Sequence, residues 1–467
     1  MDHFAERDGV LFAEEVPLPA IAEAVGTPFY CYAAATIRRH VRVFRQALRG
    51  LPDPLIAFAV KANPNRSVLA ILAAEGCGAD VVSYGELRRA LAAGIPAARI
   101  IFSGVGKTEA EMAGALEAGI YQINAESLEE LSLLSRVAVG LGRQAPVALR
   151  VNPDVDAGTN PKIATGRSEA KFGIPADRVP EAWRLAESLP GLQPLGLAIH
   201  IGSQLSSLAP LEAAFRRLGA LIAELRGLGA RVERVDLGGG LGIPYDPALP
   251  PPPHPEAYGA LVRRLCAGWG VALAFEPGRL IVGNAGILVC RVVLVKEGAT
   301  RRFVVLDAAM NDLIRPTLYG VYHDIRAVRP RPGRMVATFV GPVCETGDTF
   351  AEDRETTPLA AGDLVALMTA GAYGATMAST YNSRPLVAEV LVDGDRWAVV
   401  RPRQTVEELI AQDRLAPWLT APPAAPQPPA AWDDRAGPDS RVAEAEPLAD
   451  GGGAAGPAAR GRLIPLR

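Results

Sequence analysis

Between residues 55 and 276 the chain alternates, and this pattern limits its possible folds more than any other. Short apolar runs, each closed by polar or glycine residues, take turns with stretches whose apolar residues recur at helical spacing. The runs fall at 55–60, 79–82, 100–103, 121–124, 147–151, 195–199, 232–237 and 272–275. Helical periodicity fills most of the gaps, at 68–75, 86–93, 109–118, 128–139 and 211–228. Eight strand–helix repeats in roughly 220 residues predict an α/β chain built on a (β/α)8 TIM-type barrel, whose usual size is about 250 residues. A doubly wound sheet would need fewer strands and a reversal of strand order, and the sequence shows neither.

A barrel of this kind carries its chemistry at the C-terminal ends of its strands. The residues leaving the eight runs are Lys61, Asp80 with Ser83, Ser103-Gly104, Asn124, Arg150 with Asn152, His200, Gly238-Gly239-Gly240, and Glu276 with Arg279. A random surface distribution would not gather polar and glycine residues at nearly every strand exit.

Lys61 ends the first run, and Asn63-Pro64 stops that strand directly after it. An unpaired ammonium at the edge of a core is costly. It calls for a partner, a lowered pKa, or an aldehyde cofactor that consumes the amine as a Schiff base. Taken alone, the segment favours a plainer reading, a lysine reaching past the strand into solvent.

Gly238-Gly239-Gly240-Leu241-Gly242 lets successive N–H groups approach an anion, and such groups form a nest for phosphate. The same residues would serve as a tight turn, and no Gly-Lys-Ser/Thr follows to make a nucleotide loop. Glu276 could pair with Arg279 or cap a turn. Together, however, a lysine, a phosphate nest and a strand-end carboxylate are the parts a pyridoxal 5'-phosphate site requires. The carboxylate keeps the pyridine nitrogen protonated, which makes the ring an electron sink. His200 could stack on that ring and Ser203 could reach the phosphate, although a lone strand-end histidine is more often structural.

Length and composition bound the rest. A chain of 467 residues exceeds one small core and predicts two domains. With 21% charged residues and a net charge of -3, neither nucleic acid nor an anionic membrane is expected as the main partner. No apolar stretch reaches bilayer length, and the N-terminus lacks the basic-then-apolar order of a signal peptide. The five cysteines and five histidines are scattered, so neither a disulfide framework nor a metal site is expected, and a cytoplasmic location fits best.

From about residue 280 the pattern becomes β-type, at 286–295, 302–307, 334–340, 364–369, 387–392 and 397–400. The strand-like segment 27–32 can join these and make that domain discontinuous. The reading therefore assigns a cofactor-binding barrel to 34–279 and a mainly β domain (barrel or sandwich) to 1–33 plus 280–417. Residues 418–467, rich in Ala, Pro, Gly and charge, form a tail expected to be disordered.

Nine segments, in order over about residues 27–417, resemble the diaminopimelate decarboxylase family, whose fold is alanine-racemase-like. They are Ala59–Pro64, Gly104–Thr108, Arg150–Asp154, His200–Gln204, Asp236–Gly240, Glu276–Arg279, Met310–Pro316, Gly341–Glu345 and Ala370–Gly374. The resemblance implies a pyridoxal-phosphate carboxy-lyase that converts meso-2,6-diaminopimelate to L-lysine, the last step of lysine biosynthesis. It implies that Lys61 holds the cofactor covalently, that His200 stacks on its ring, and that Glu276 pairs with the pyridine nitrogen. Gly238, Gly239, Gly240, Ser203 and Tyr373 would bind phosphate. Arg279, Arg315 and Tyr319 would grip the distal carboxylate of the amino-acid substrate, with Tyr373 nearby, and Glu345 would take its distal ammonium. Cys344 would deliver a proton. The family pattern draws Cys344 and Glu345 from a second subunit, which implies a homodimer.

Tyr84, Asn160 and Thr346 depart from the usual pattern without removing any of these groups. Sister decarboxylases acting on ornithine, arginine or carboxynorspermidine remain alternatives, as does a non-catalytic regulatory relative. The last should lose Lys61 or Cys344, and this chain keeps both.

Overall fold

The structure is a computed structural model that describes residues 2–419 and 462–463. The chain divides into two compact units. One comprises Thr36–Ala285 with Gly371–Thr376; the other takes the residues up to Ala35, Gly286–Ala370, and those from Met377 onward.

The first unit is a closed barrel of eight parallel strands. They are β1 (Leu55–Ala59), β2 (Gly78–Val81), β3 (Ile100–Phe102), β4 (Gln122–Ala125), β5 (Ala145–Asn152), β6 (Leu192–Ile199), β7 (Arg234–Asp236) and β8 (Ala272–Phe275). Neighbours in sequence are neighbours in the sheet, and β8 pairs back onto β1 through Ala274↔Leu55 and Phe275↔Ile56, so the ring closes. Each of the eight predicted runs overlaps one strand.

Local chemistry fixes several of the turns from strand to helix. Asn65, Ser83, Thr108 and Ser127 each cap the helix that follows, their side chains accepting the backbone N–H of Ser67, Glu86, Glu111 and Glu130. Two further helices, Val179–Ser188 and Pro255–Cys266, complete gaps to which the sequence reading assigned no helix.

Alternate residues of a barrel strand point inward. Towards the N-terminal ends these form an apolar cluster of Leu55, Ala57, Ile101 and Ala274. Continuing two residues at a time along the same strands reaches Lys61, Ser103 and Glu276. The period of two thus converts a dry barrel floor into a polar mouth.

The second unit is mainly β. Phe29–Ala33 lies between Gly286–Glu297, antiparallel through Gly286↔Tyr32, and Ala388–Asp393, parallel through Ala388↔Phe29. Segments from both sides of the barrel sequence therefore build one sheet. A three-stranded antiparallel sheet of Phe4–Arg7, Val10–Ala13 and Val16–Pro17 joins the same core, where Phe4, Leu11, Phe29, Ile287, Val289, Val390 and Trp397 are buried.

Thr349–Thr356 is an edge strand that the sequence reading did not include. Its run Glu352-Asp353-Arg354-Glu355 carries no apolar alternation, because an edge strand exposes much of its surface. The tail expected to be disordered falls outside the described residues, apart from 418–419 and 462–463. Of these, Arg462–Leu463 pairs in parallel with Arg396 and Trp397. Among the described residues, no helix is long and apolar enough to cross a membrane.

Candidate active site

The barrel mouth gathers most of the residues singled out in the sequence. Lys61, His200, Ser203, Gly238, Gly239, Gly240, Glu276, Arg279 and Tyr373 all line one cavity. Lys61 stands on a single 3-10 turn, Val60–Ala62, directly after β1. Its ammonium lies 3.0 Å from the Asp80 carboxylate, and 35% of its side-chain surface remains open to the cavity. Burial pulls the Lys61 pKa down, but Asp80, then Glu276 and Tyr373, outweigh it, and the net shift is upward. Asp80 is fully buried, and its second oxygen has no hydrogen-bond partner among the described residues.

Glu276 follows β8 and is buried. Its carboxyl is held well above the usual range, first by burial, then by the neighbouring Asp236 and Asp80. Beneath it lies a hydrogen-bonded floor. Asn124 donates to Asp236 at 3.0 Å and to Ser103 at 3.1 Å, while Ser103 donates to Glu276 at 3.4 Å. Gln122 in turn donates to Asn124 at 2.8 Å. Asp80 and Glu276 thus both face the Lys61 amine, with Asp236 beside Glu276, and a carboxyl so placed suits a protonated ring nitrogen.

The glycine run leaves no room for side chains. A Cβ would meet the Ile199 carbonyl at 2.3 Å from Gly238, the Glu276 carbonyl at 2.2 Å from Gly239, and the Gly202 carbonyl at 2.4 Å from Gly240. Gly238 and Gly240 also adopt positive φ, at 66° and 111°. The Gly239 N–H donates to Nδ1 of His200 at 3.2 Å, so that nitrogen carries a lone pair. Burial, with Lys61 and Arg150 nearby, holds the His200 pKa well below normal, and the ring is neutral.

Arg279 donates to the Tyr245 hydroxyl at 2.7 Å and to Ser203 Oγ at 3.2 Å. Its guanidinium also lies 4.9 Å from the centre of the Tyr373 ring. Tyr373 is held there because its own N–H donates to the Ala62 carbonyl at 2.9 Å.

Arg315, Tyr319, Cys344 and Glu345 belong to the β unit. Arg315 is buried at the start of the short helix Arg315–Tyr319, with its guanidinium 5.8 Å from the Tyr319 ring. Cys344 and Glu345 share a loop organised by the buried Asp348 carboxylate. That carboxylate accepts the N–H of Met310 at 2.6 Å and of Val343 at 2.7 Å. The Cys344 N–H donates to Asn382 at 3.1 Å, and the Tyr381 hydroxyl bonds Glu345. Cys344 is exposed, whereas Cys31, Cys77, Cys266 and Cys290 are buried.

Sequence reasoning gave no role to Asp80, Asp236, Asn124 or Asp348. The first three stand at strand ends and inward positions, so the period of two marks them. Asp348 has no such marker.

Comparison with known proteins now identifies the class. The family described as pyridoxal-dependent decarboxylase, pyridoxal binding domain, matches residues 34–283, and the chain belongs to this family. The chain is 53% identical to a diaminopimelate decarboxylase of Zymomonas mobilis, covering 89% of this chain and 99% of that one. It is 50% identical to a diaminopimelate decarboxylase of Pseudomonas aeruginosa, covering 89% and 100%. Among solved structures it is similar to diaminopimelate decarboxylase from Helicobacter pylori complexed with L-lysine. That match has a TM-score of 0.82 and 38% identity, over 85% of this chain and 98% of the other. The residues present fit pyridoxal phosphate: a lysine amine open to the cavity, a deep carboxyl, a neutral imidazole, and a glycine cradle that any Cβ would fill.

Proposed function

We propose that this chain decarboxylates meso-2,6-diaminopimelate to L-lysine and CO2 with pyridoxal phosphate as cofactor, completing lysine biosynthesis. The observation that carries the reading is the 53% identity to the Zymomonas mobilis enzyme over almost its whole length. The Helicobacter pylori relative was solved with L-lysine, the product of this reaction, which supports the same substrate.

When bound, the cofactor supplies an electron sink for the pair left on carbon as CO2 departs. Lys61 holds the cofactor, and Asp80, 3.0 Å from its ammonium, keeps the side chain aimed into the cavity. Glu276 pairs with the ring nitrogen. His200, whose Nδ1 accepts the Gly239 N–H and so bears no proton, would pack against the ring without adding charge beside the ammonium. Gly238, Gly239, Gly240, Ser203 and Tyr373 bind phosphate.

Arg315, with Arg279 and Tyr319, grips the distal carboxylate, since a guanidinium fork matches a carboxylate through paired charge-assisted bonds. A diamine-forming decarboxylase has no such carboxylate to bind. Glu345 of the partner subunit takes the distal ammonium, and Cys344 of the partner subunit delivers a proton to the carbon that lost CO2, so the working unit is a homodimer. The five unpaired cysteines suit a reducing cytoplasm.

The test is CO2 release by cofactor-loaded protein with meso-diaminopimelate, L-ornithine, L-arginine and carboxynorspermidine in parallel. Turnover of diaminopimelate alone is expected. Turnover of another substrate instead would preserve the cofactor site and overturn the roles of Arg315 and Glu345.

A further inference from the structure

His323 follows the Tyr319-Gly320-Val321-Tyr322 run and is buried beside Arg315, the two residues exposing only 1% and 3% of their surface. The ring bridges two fixed groups. Nδ1 lies 2.9 Å from the Met368 carbonyl oxygen, and Nε2 lies 3.4 Å from Nε of Arg315. A carbonyl oxygen only accepts, so Nδ1 must carry the hydrogen. In a neutral imidazole the other nitrogen is then a lone pair, and the Arg315 Nε–H donates into it. An imidazolium would instead place an N–H and a second positive charge against the guanidinium. The backbone of Met368 therefore selects the one tautomer that can accept from Arg315.

This bond engages Nε and neither Nη nitrogen. It sets the plane of the guanidinium without using the fork that grips a carboxylate bidentately. A long, flexible arginine gains most from such a restraint, because each rotor frozen beforehand need not be frozen on binding.

From this geometry we infer that His323 is a positioning residue for the substrate's distal carboxylate, acting through the guanidinium of Arg315. The inference rests on the clamp role proposed above for Arg315.

A double-mutant cycle tests it, with KM and kcat for meso-diaminopimelate measured in four proteins: wild type, His323→Phe, Arg315→Ala and the double variant. His323→Phe keeps a ring but removes the acceptor, and should raise KM by roughly five- to tenfold with kcat within about twofold of wild type. In the Arg315→Ala background the same change should shift KM by less than about twofold, because the residue through which it acts is gone. His323→Gln offers an acceptor near the position of Nε2 and should recover most of the lost affinity.

A merely structural role for His323 would lower kcat and cofactor loading while raising KM, and would persist in both backgrounds. Should His323→Phe misfold, His323→Gln decides alone: KM near wild type supports the inference, and a large rise overturns it. If Arg315→Ala raises KM while His323→Phe is neutral or additive, the inference fails and the clamp stands. If Arg315→Ala itself leaves KM unchanged, the clamp reading fails and takes the inference with it.

Discussion

The barrel unit and the β unit place their functional groups by different means. In the barrel, position along a strand decides everything. Inward residues recur every two positions, so once Leu55 and Ala57 are in the apolar floor, Lys61 must reach the mouth, and Ser103 and Glu276 arrive by the same rule. In the β unit, Cys344 and Glu345 lie on a loop with no repeating geometry. That loop is tied by single side chains to backbone groups, such as Asp348 accepting from Met310 and Val343. The first method follows from the strand repeat; the second depends on individual side-chain bonds.

Mutations can break or sharpen that contrast. Lys61→Ala should abolish turnover, by at least about a thousandfold, while circular dichroism and thermal melting stay near wild type. Retained activity would remove the barrel mouth from the chemistry. Arg315→Ala should cost roughly 2–5 kcal/mol in kcat/KM, expressed mainly as a higher KM. Gly239→Ala places a Cβ 2.2 Å from the Glu276 carbonyl and should destabilise by about 1–3 kcal/mol, with weaker cofactor binding by fluorescence titration.

Asp348→Ala strips an acceptor from two backbone N–H groups and should cost about 1–3 kcal/mol. Its clearer signature is an altered rate of Cys344 modification by a thiol reagent, since the other four cysteines are buried. An unchanged rate would mean that Asp348 does not hold the loop.

The smallest effect is electrostatic. Burial pushes the Glu86 carboxyl from 4.5 up to about 7, against the Val82 N–H that pulls it down and with Asp80 adding to the rise. The folded protein then holds that proton more tightly than the unfolded chain does. The resulting stability is full below about pH 4.5 and is lost as pH rises through 7. Glu86→Gln should flatten this slope by no more than about 2 kcal/mol between pH 4.5 and 8 in chemical denaturation, because the side chain keeps some solvent contact.

How much could be read from sequence follows the same contrast. All eight barrel strands and the mouth residues from Lys61 to Arg279 were legible, because strand period and capping residues are local properties. Asp80 and Asn124 were visible as strand-end polar groups, but their partners were not. Asn124 reaches Asp236 across the barrel and Asp80 meets Lys61 from the neighbouring strand, and which inward residue faces which depends on the stagger of the strands. In the β unit the longer apolar strands were legible, while the short strands Phe4–Arg7, Val10–Ala13, Val16–Pro17 and Ile325–Ala327 and the charged edge strand Thr349–Thr356 were not. Nor could sequence show that Phe29–Ala33 inserts between strands some 260 and 360 residues later, since strand pairing at that distance is set by tertiary packing. Asp348 was missed because it accepts from backbone N–H groups, which leave no mark in the sequence, and His323 because the Met368 carbonyl that orients it towards Arg315 is a backbone group 45 residues away.

The proposed active site joins the barrel cavity to loop residues supplied by a second subunit. Mixing inactive Lys61→Ala with inactive Cys344→Ala protein, after subunit exchange, tests that claim most directly. If Lys61 works with Cys344 of the partner subunit, each mixed dimer regains one native site. A random mixture should then recover about a quarter of wild-type activity on meso-diaminopimelate. No recovery, with exchange verified by mass-tagged subunits, would contradict the shared site and with it the assembly proposed here.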